Sequence, residues 1–181
     1  MMRPVLALML SLALAGPALA ETLRDPATGL AITAPAGTVA TAAPPLPPGP
    51  IRAVFDIRRP GETETGCRLS TVEAPANAFL TQEELNQRSA APDYQQAMAA
   101  QLAQAYDLLV LDIVTHAGIT GLGVVGDLRR APGDSGPNLR SLLIFLDTPL
   151  QRVMLICVAD EATFDARLPE FEAILAGVGL P

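Results

Sequence analysis

The stretch from Leu139 to Val158 constrains this chain more than any other. It is two apolar runs, rich in branched side chains, interrupted once at Asp147-Thr148-Pro149. Branched residues fill a pleated, buried surface, and proline cannot continue a strand ladder, so the pair reads as a hairpin of central strands. A chain built around such a pair must cover both of its faces with something else.

The first twenty residues stand apart from that body. Met1-Met2-Arg3-Pro4 gives a short positive start, Val5 to Ala15 an apolar segment, and Pro17-Ala18-Leu19-Ala20 the small-x-small end of a secretory leader. Cleavage is expected between Ala20 and Glu21. The new first residue is not cysteine and the leader has one arginine, so neither a lipid anchor nor the twin-arginine route is implied. No later apolar run reaches the roughly 18 residues of a membrane helix. The mature chain, 21–181, is expected to be one soluble domain in the periplasm or outside the cell.

Formal charge is -7, and less the +1 of Arg3 the mature form carries -8. Such a body has no electrostatic reason to approach nucleic acid or an anionic membrane. All 12 basic residues are arginine. With the abundance of Ala, Pro and Gly, that points to a GC-rich bacterial genome and says nothing of mechanism.

Taken in order, Leu23 to Thr33 reads as two short strands around a turn on Asp25-Pro26 and Gly29. Thr38 to Pro50, with five prolines from Pro44 onward, reads as an extended surface loop and a candidate contact surface. Ile51 to Ile57 and Cys67 to Val72 give a third and fourth strand. Thr81-Gln82-Glu83-Glu84 is a capping box that starts a helix. After Ala91-Pro92, the spacing of Tyr94, Met98, Leu102 and Tyr106 predicts one helical stripe. Leu108 to Thr115, Gly121 to Leu128 and the central pair are strands. Asp160 to Val178 closes the chain as a helix with Phe164, Leu168, Phe171 and Leu175 on one face, kinked at Pro169 or starting near it. Four strands, a helical segment, four strands and a helix suit an α+β fold: an antiparallel β-sheet with helices packed on it.

Two segments carry a family resemblance. Gly29-Leu30-Ala31-Ile32-Thr33-Ala34-Pro35-Ala36-Gly37 resembles the opening strand and Pro-x-Gly turn of the superfamily of PsbP-type extrinsic photosystem proteins and DcrB-type bacterial envelope proteins. Ile156 to Asp160, with Phe164 and Pro169 to Leu175, is similar to its last strand and C-terminal helix. Thr38 stands where many members place tryptophan, a residue this chain lacks. The resemblance implies an α-β-α sandwich and a role in binding or assembly, with no shared catalytic residues.

Several motifs invite chemistry. Gly121-Leu122-Gly123-Val124-Val125-Gly126 matches the dinucleotide fingerprint by letter, but Pro132-Gly133 leaves no room for the helix that holds the pyrophosphate. It is read as a turn and a tight strand. Gly133-Asp134-Ser135-Gly136-Pro137 resembles a serine nucleophile loop, but the only histidine, His116, has no long intervening sequence to build a site with Ser135. His116 alone is a poor metal site and is read as a surface or strand-end residue. Arg58-Arg59 and Arg129-Arg130 form an anion site only if the fold joins them; otherwise they are solvated surface. An enzyme would need acidic residues such as Asp112 and Asp127 to converge.

Cys67 and Cys157 are the chain's two cysteines, both on expected strands. In an oxidising compartment a bridge closing a loop of about 90 residues would contribute roughly 4 kcal/mol, the alternative being two buried thiols. No catalytic residue, cofactor or metal is expected. The function expected is that of an exported, non-catalytic envelope protein that binds a partner or assists assembly. The alternative is a periplasmic carrier of a small apolar ligand held between sheet and helices. The chain itself is expected to be a monomer.

Overall fold

The computed structural model describes residues 21–130, 133 and 135–181, so the leader expected over 1–20 and its cleavage point lie outside the described residues. Two short strands, β1 (Thr22–Arg24) and β2 (Ala31–Thr33), close around the turn in which Asp25 Oδ2 accepts from the amide and hydroxyl of Thr28. β3 (Val39–Ala42), β4 (Ile51–Arg58) and β5 (Gly66–Glu73) follow, then helices α1 (Gln82–Ala90) and α2 (Pro92–Leu102). The second half holds β6 (Tyr106–His116), β7 (Ile119–Leu128), β8 (Leu139–Asp147), β9 (Gln151–Asp160), α3 (Phe164–Ala176) and a brief β10 (Val178–Gly179).

Strands β3 to β9 form one antiparallel sheet in the order β3-β4-β5-β9-β8-β7-β6, and β1-β2-β10 form a second, small sheet. The apolar pair at 139–158 is the β8–β9 hairpin, and β9 is the middle strand. Successive side chains of a strand point to opposite faces. Ile144 and Leu146 of β8 therefore join one core with Phe164, Phe171 and Ile174 of α3 and Ile32 of the small sheet. Leu143 and Phe145 join another with Leu122, Val124 and Met98 of α2. With α3 and the small sheet on one face and α1 and α2 on the other, the molecule has the α+β architecture that the order of elements suits, in the α-β-α sandwich form that the family resemblance implies.

Four local expectations are corrected. Val39–Ala42 is not loop but an edge strand paired with Phe55 to Arg58, because the prolines begin only at Pro44 and the preceding amides are intact. Tyr106 is not helical; it opens β6, and the turn after Leu102 brings it back beside Tyr94 and Met98, so the stripe is one cluster made by two elements. α3 neither starts nor stops at Pro169 but runs through it from Phe164. Pro169 lies on the exposed side, where water reaches the carbonyl that its missing N–H leaves free. Finally, five strands precede the helices and a tenth follows α3, because β3 hides beside prolines and β10 is two residues long.

β6 is an outer strand whose register with β7 shifts between Leu108 and Val110, and Leu109 at that bulge is half exposed. Cys67 on β5 and Cys157 on β9 sit directly opposite one another in register, with Cα atoms 3.9 Å apart and Sγ atoms at the bonding distance of 2.05 Å. The protein purified without reductant is expected to weigh about two hydrogens less than its reduced form, and Cys67→Ala with Cys157→Ala to lose roughly 4 kcal/mol in urea unfolding. Equal masses would mean two thiols.

Candidate functional site

The residues that invited chemistry are dispersed. Gly121, Gly123 and Gly126 all lie on β7, with no turn among them. A Cβ on Gly121 would come within 2.0 Å of the Phe145 carbonyl oxygen, so that glycine lets β8 approach. His116 stands at the β6–β7 turn and Ser135 in the loop beyond the other end of β7, roughly 30 Å away at the rise of a ten-residue strand. His116 Nε2 is instead hydrogen-bonded to the Val178 carbonyl at 2.7 Å, tying β6 to β10. Asp134, which precedes Ser135 in the nucleophile-like loop, is outside the described residues.

The arginine pairs do not meet. Arg58 ends β4 and Arg59 follows it, Arg129 and Arg130 follow β7, and these strands are four spacings apart, roughly 19 Å. Arg58 donates to the Thr63 carbonyl, Arg59 to Glu170, Arg129 to Asp107, and Arg130 to Asn138 and the Gly136 carbonyl. Asp112 accepts from the Ile113 amide while Asp127 binds Arg140, so this acidic pair is not a site either. Among the described residues no group of three His, Cys, Asp or Glu side chains is placed to hold a metal ion.

What the fold does assemble was not visible in the sequence. Asp147 ends β8 with its side chain 2% exposed. Across the hairpin, Arg152 binds it through two parallel bonds, Nε to Oδ1 at 2.7 Å and Nη2 to Oδ2 at 3.0 Å. Arg88 of α1 and the Tyr94 hydroxyl of α2 also donate to Oδ2, at 3.0 and 2.9 Å. Asn77 completes the knot, accepting from Arg88 and donating to the Thr148 carbonyl. Burial alone would raise the Asp147 carboxyl, but the hydrogen bonds and charge of Arg152, helped by Tyr94 and Arg88, hold it below the ordinary value. Burial, reinforced by Asp147, pushes the Tyr94 phenol up to about 12, so it is a proton donor at neutral pH.

Beside this knot lies a cleft of about 420 Å³ between α2 and the sheet. Met98 and Leu102 form its wall, Ile51, Val72, Phe145 and Met154 its apolar floor and rim, and Arg152 with Asn77 its inner end. The cleft exists because α1 packs on β7 and β8 and α2 mainly on β6, leaving the β4-β5-β9 half of that face largely uncovered, with Met98 of α2 reaching Arg152 and Met154 at its border. Along β9, Arg152, Met154, Ile156 and Val158 share this face over roughly 20 Å, Met154 buried beside Met98 and the other three partly exposed. At its far end is a second depression of about 330 Å³, where Arg58 and Arg68 share Asp56.

This architecture has solved counterparts. The solution structure of cyanobacterial PsbP (CyanoP) from Synechocystis superposes with a TM-score of 0.53 at 14% identity, covering 92% of this chain and 96% of that one. A protein of unknown function, PA94 from Pseudomonas aeruginosa, described as a putative regulator, gives 0.45 at 10% identity over 89% of this chain and 96% of that one. LpqN, involved in cell envelope biogenesis of Mycobacterium tuberculosis, gives 0.45 at 11% identity over 80% and 84%. No protein-family model and no curated protein matches the sequence. The likeness to CyanoP shows the fold: the chain is a PsbP-like α-β-α sandwich. No helix among the described residues is long and apolar enough to cross a membrane.

Because the Asp147 carboxyl is held below its unfolded value, its contribution to stability is complete at neutral pH and disappears as pH falls through the folded value. Asp147→Asn leaves two guanidiniums about a quarter to a third exposed without their anion. It is expected to cost an amount near the low end of about 3–5 kcal/mol at pH 7. The gap from wild type should narrow below about pH 4, as thermal melts across pH would show.

Proposed function

We propose that this chain is an exported, non-catalytic envelope protein that binds a partner or helps assemble one, with the uncovered β4-β5-β9 face as its binding surface. One observation carries the reading: half of a buried-type sheet face is largely left without helix, and Met154, Ile156 and Val158 run along it between Arg152 at one end and Arg58 with Arg68 at the other. Export is supported by the leader read over Met1 to Ala20 and by two cysteines placed at bonding distance, a pairing suited to an oxidising compartment. The non-catalytic reading is supported by where the ionisable residues are placed, since His116, Asp127 and the arginine pairs each serve a separate structural contact. The proline segment from Pro44 to Pro50 borders the same surface, Pro50 lining the cleft mouth.

A second reading, a carrier of a small apolar ligand, is favoured by the cleft itself, whose volume lies within the roughly 300–1,000 Å³ of small-molecule sites. Native mass spectrometry of the protein purified gently from its own periplasm separates the two. A protein-sized adduct with wild type, lost in the surface variant Ile51→Glu, is the outcome expected of partner binding. An adduct of small mass would select the carrier, and the bare chain cleaved after Ala20 from both proteins would count against each. Replacing Pro44, Pro45, Pro47 and Pro48 with serine without effect on the adduct would remove the proline segment from the surface.

A further inference from the structure

The inner end of the cleft is polar in a particular way. Arg152 uses Nε and Nη2 on Asp147 and the Tyr94 hydroxyl, but the partner of its Nη1 is the sulfur of Met98 at 3.8 Å. Thioether sulfur is a weak acceptor, so a guanidinium face with two strong donors lacks an oxygen partner there, beside a residue that also lines the cleft. Asn77, 4% exposed, gives one amide proton to the Thr148 carbonyl and has a second to give. Two guanidiniums, Arg88 and Arg152, face the single Asp147 carboxylate, so the inner end carries an excess of positive charge. The acidic residue that lines the cleft, Glu73, is exposed at the rim and forms no ion pair with Arg152 among the described residues. Outward from this donor end the lining is mainly apolar, with Val72, Leu102, Phe145, Met154 and finally Ile51, and Gln101 of α2 is the polar side chain there besides Glu73.

A donor-rich, cationic end and an apolar length define a ligand of the complementary form. We propose that the cleft binds a single-chain amphiphile with a carboxylate head, the head meeting Arg152 Nη1 and the chain lying against Val72, Leu102 and Met154. The inference rests on reading the chain as a binding protein and gives the carrier form of that reading its ligand class. Charge-assisted bonds to a guanidinium supply the preference for an anion over a neutral head of the same length.

The test is isothermal titration of the mature protein with decanoate and, separately, with 1-decanol at low ionic strength. Decanoate is expected to bind about tenfold more tightly than decanol, and Arg152→Gln to bring the two within about twofold. Leu102→Trp, which fills the cleft from the α2 wall and lies outside the Asp147 knot, should abolish both. Because Arg152 also serves folding, Glu73→Gln provides the independent variant: removal of an exposed carboxylate at the rim is expected to tighten decanoate and leave decanol unchanged. Equal affinity for acid and alcohol in the wild type would overturn recognition of the head while leaving an apolar carrier standing. Absence of binding by either probe would overturn both the amphiphile and the carrier, leaving the partner reading untouched.

Discussion

A single buried carboxylate, that of Asp147, holds together the parts of this molecule that apolar burial does not. α1 contains one large apolar side chain, Leu85, too little to fix a nine-residue helix to a sheet. Its attachment is polar: Gln82 donates to the Asp147 carbonyl, Asn86 bonds to the Gly118 carbonyl and the Thr120 amide, and Arg88 reaches the Asp147 carboxylate. A buried anion is costly unless its lone pairs are met, and here β9 and both helices supply the donors, while Asn77 of the Pro75–Phe79 turn holds Arg88 in place. The helices are thereby drawn over β6 to β8, and the cleft is the remainder of the face. The same interaction that builds the hairpin end therefore decides where a ligand or partner finds open sheet.

The opposite face is organised by contrary means. α3 lays Phe164, Phe171 and Ile174, all essentially unexposed, onto the sheet, with the two rings 5.8 Å apart and tilted. Each such side chain contributes about 1.5–3 kcal/mol by leaving water. The charged group drawn into that layer, Arg167, lies over the Phe171 ring and is met by both oxygens of Glu62 and by Glu170. It anchors the loop between β4 and β5 to the helix. An apolar face and a polar face on one sheet explain why the cleft opens on the α1–α2 side.

The fold was readable because its signals are local. The β8–β9 runs, the Thr81 capping box and the aromatic spacing of the last helix each follow from residues within a turn or two of one another. The errors were of the same origin: intact amides beside a proline run concealed β3, and Pro169 could be tolerated only because its face turned out to be solvent. The candidate site was not readable. Asp147 read as a turn residue, and nothing in the chain joined it to Tyr94 or Arg88, which are 53 and 59 residues distant. One signal was available in hindsight. Asp147 and Arg152 flank the four residues 148–151, and in the hairpin they are direct cross-strand partners.

The strand order has a consequence in time. β3-β4-β5 is one run of neighbours and β9-β8-β7-β6 another, so in the large sheet the β5–β9 ladder is the seam where the two halves of the chain meet. Every other ladder of that sheet closes locally, whereas this one waits for residues some 90 positions later, a slow step for loop closure. Until β9 has been synthesised, β5 presents a bare strand edge, the kind of surface on which chains aggregate. Placing the cysteines on this ladder means that the slowest pairing in the sheet is also the one that can be locked once made.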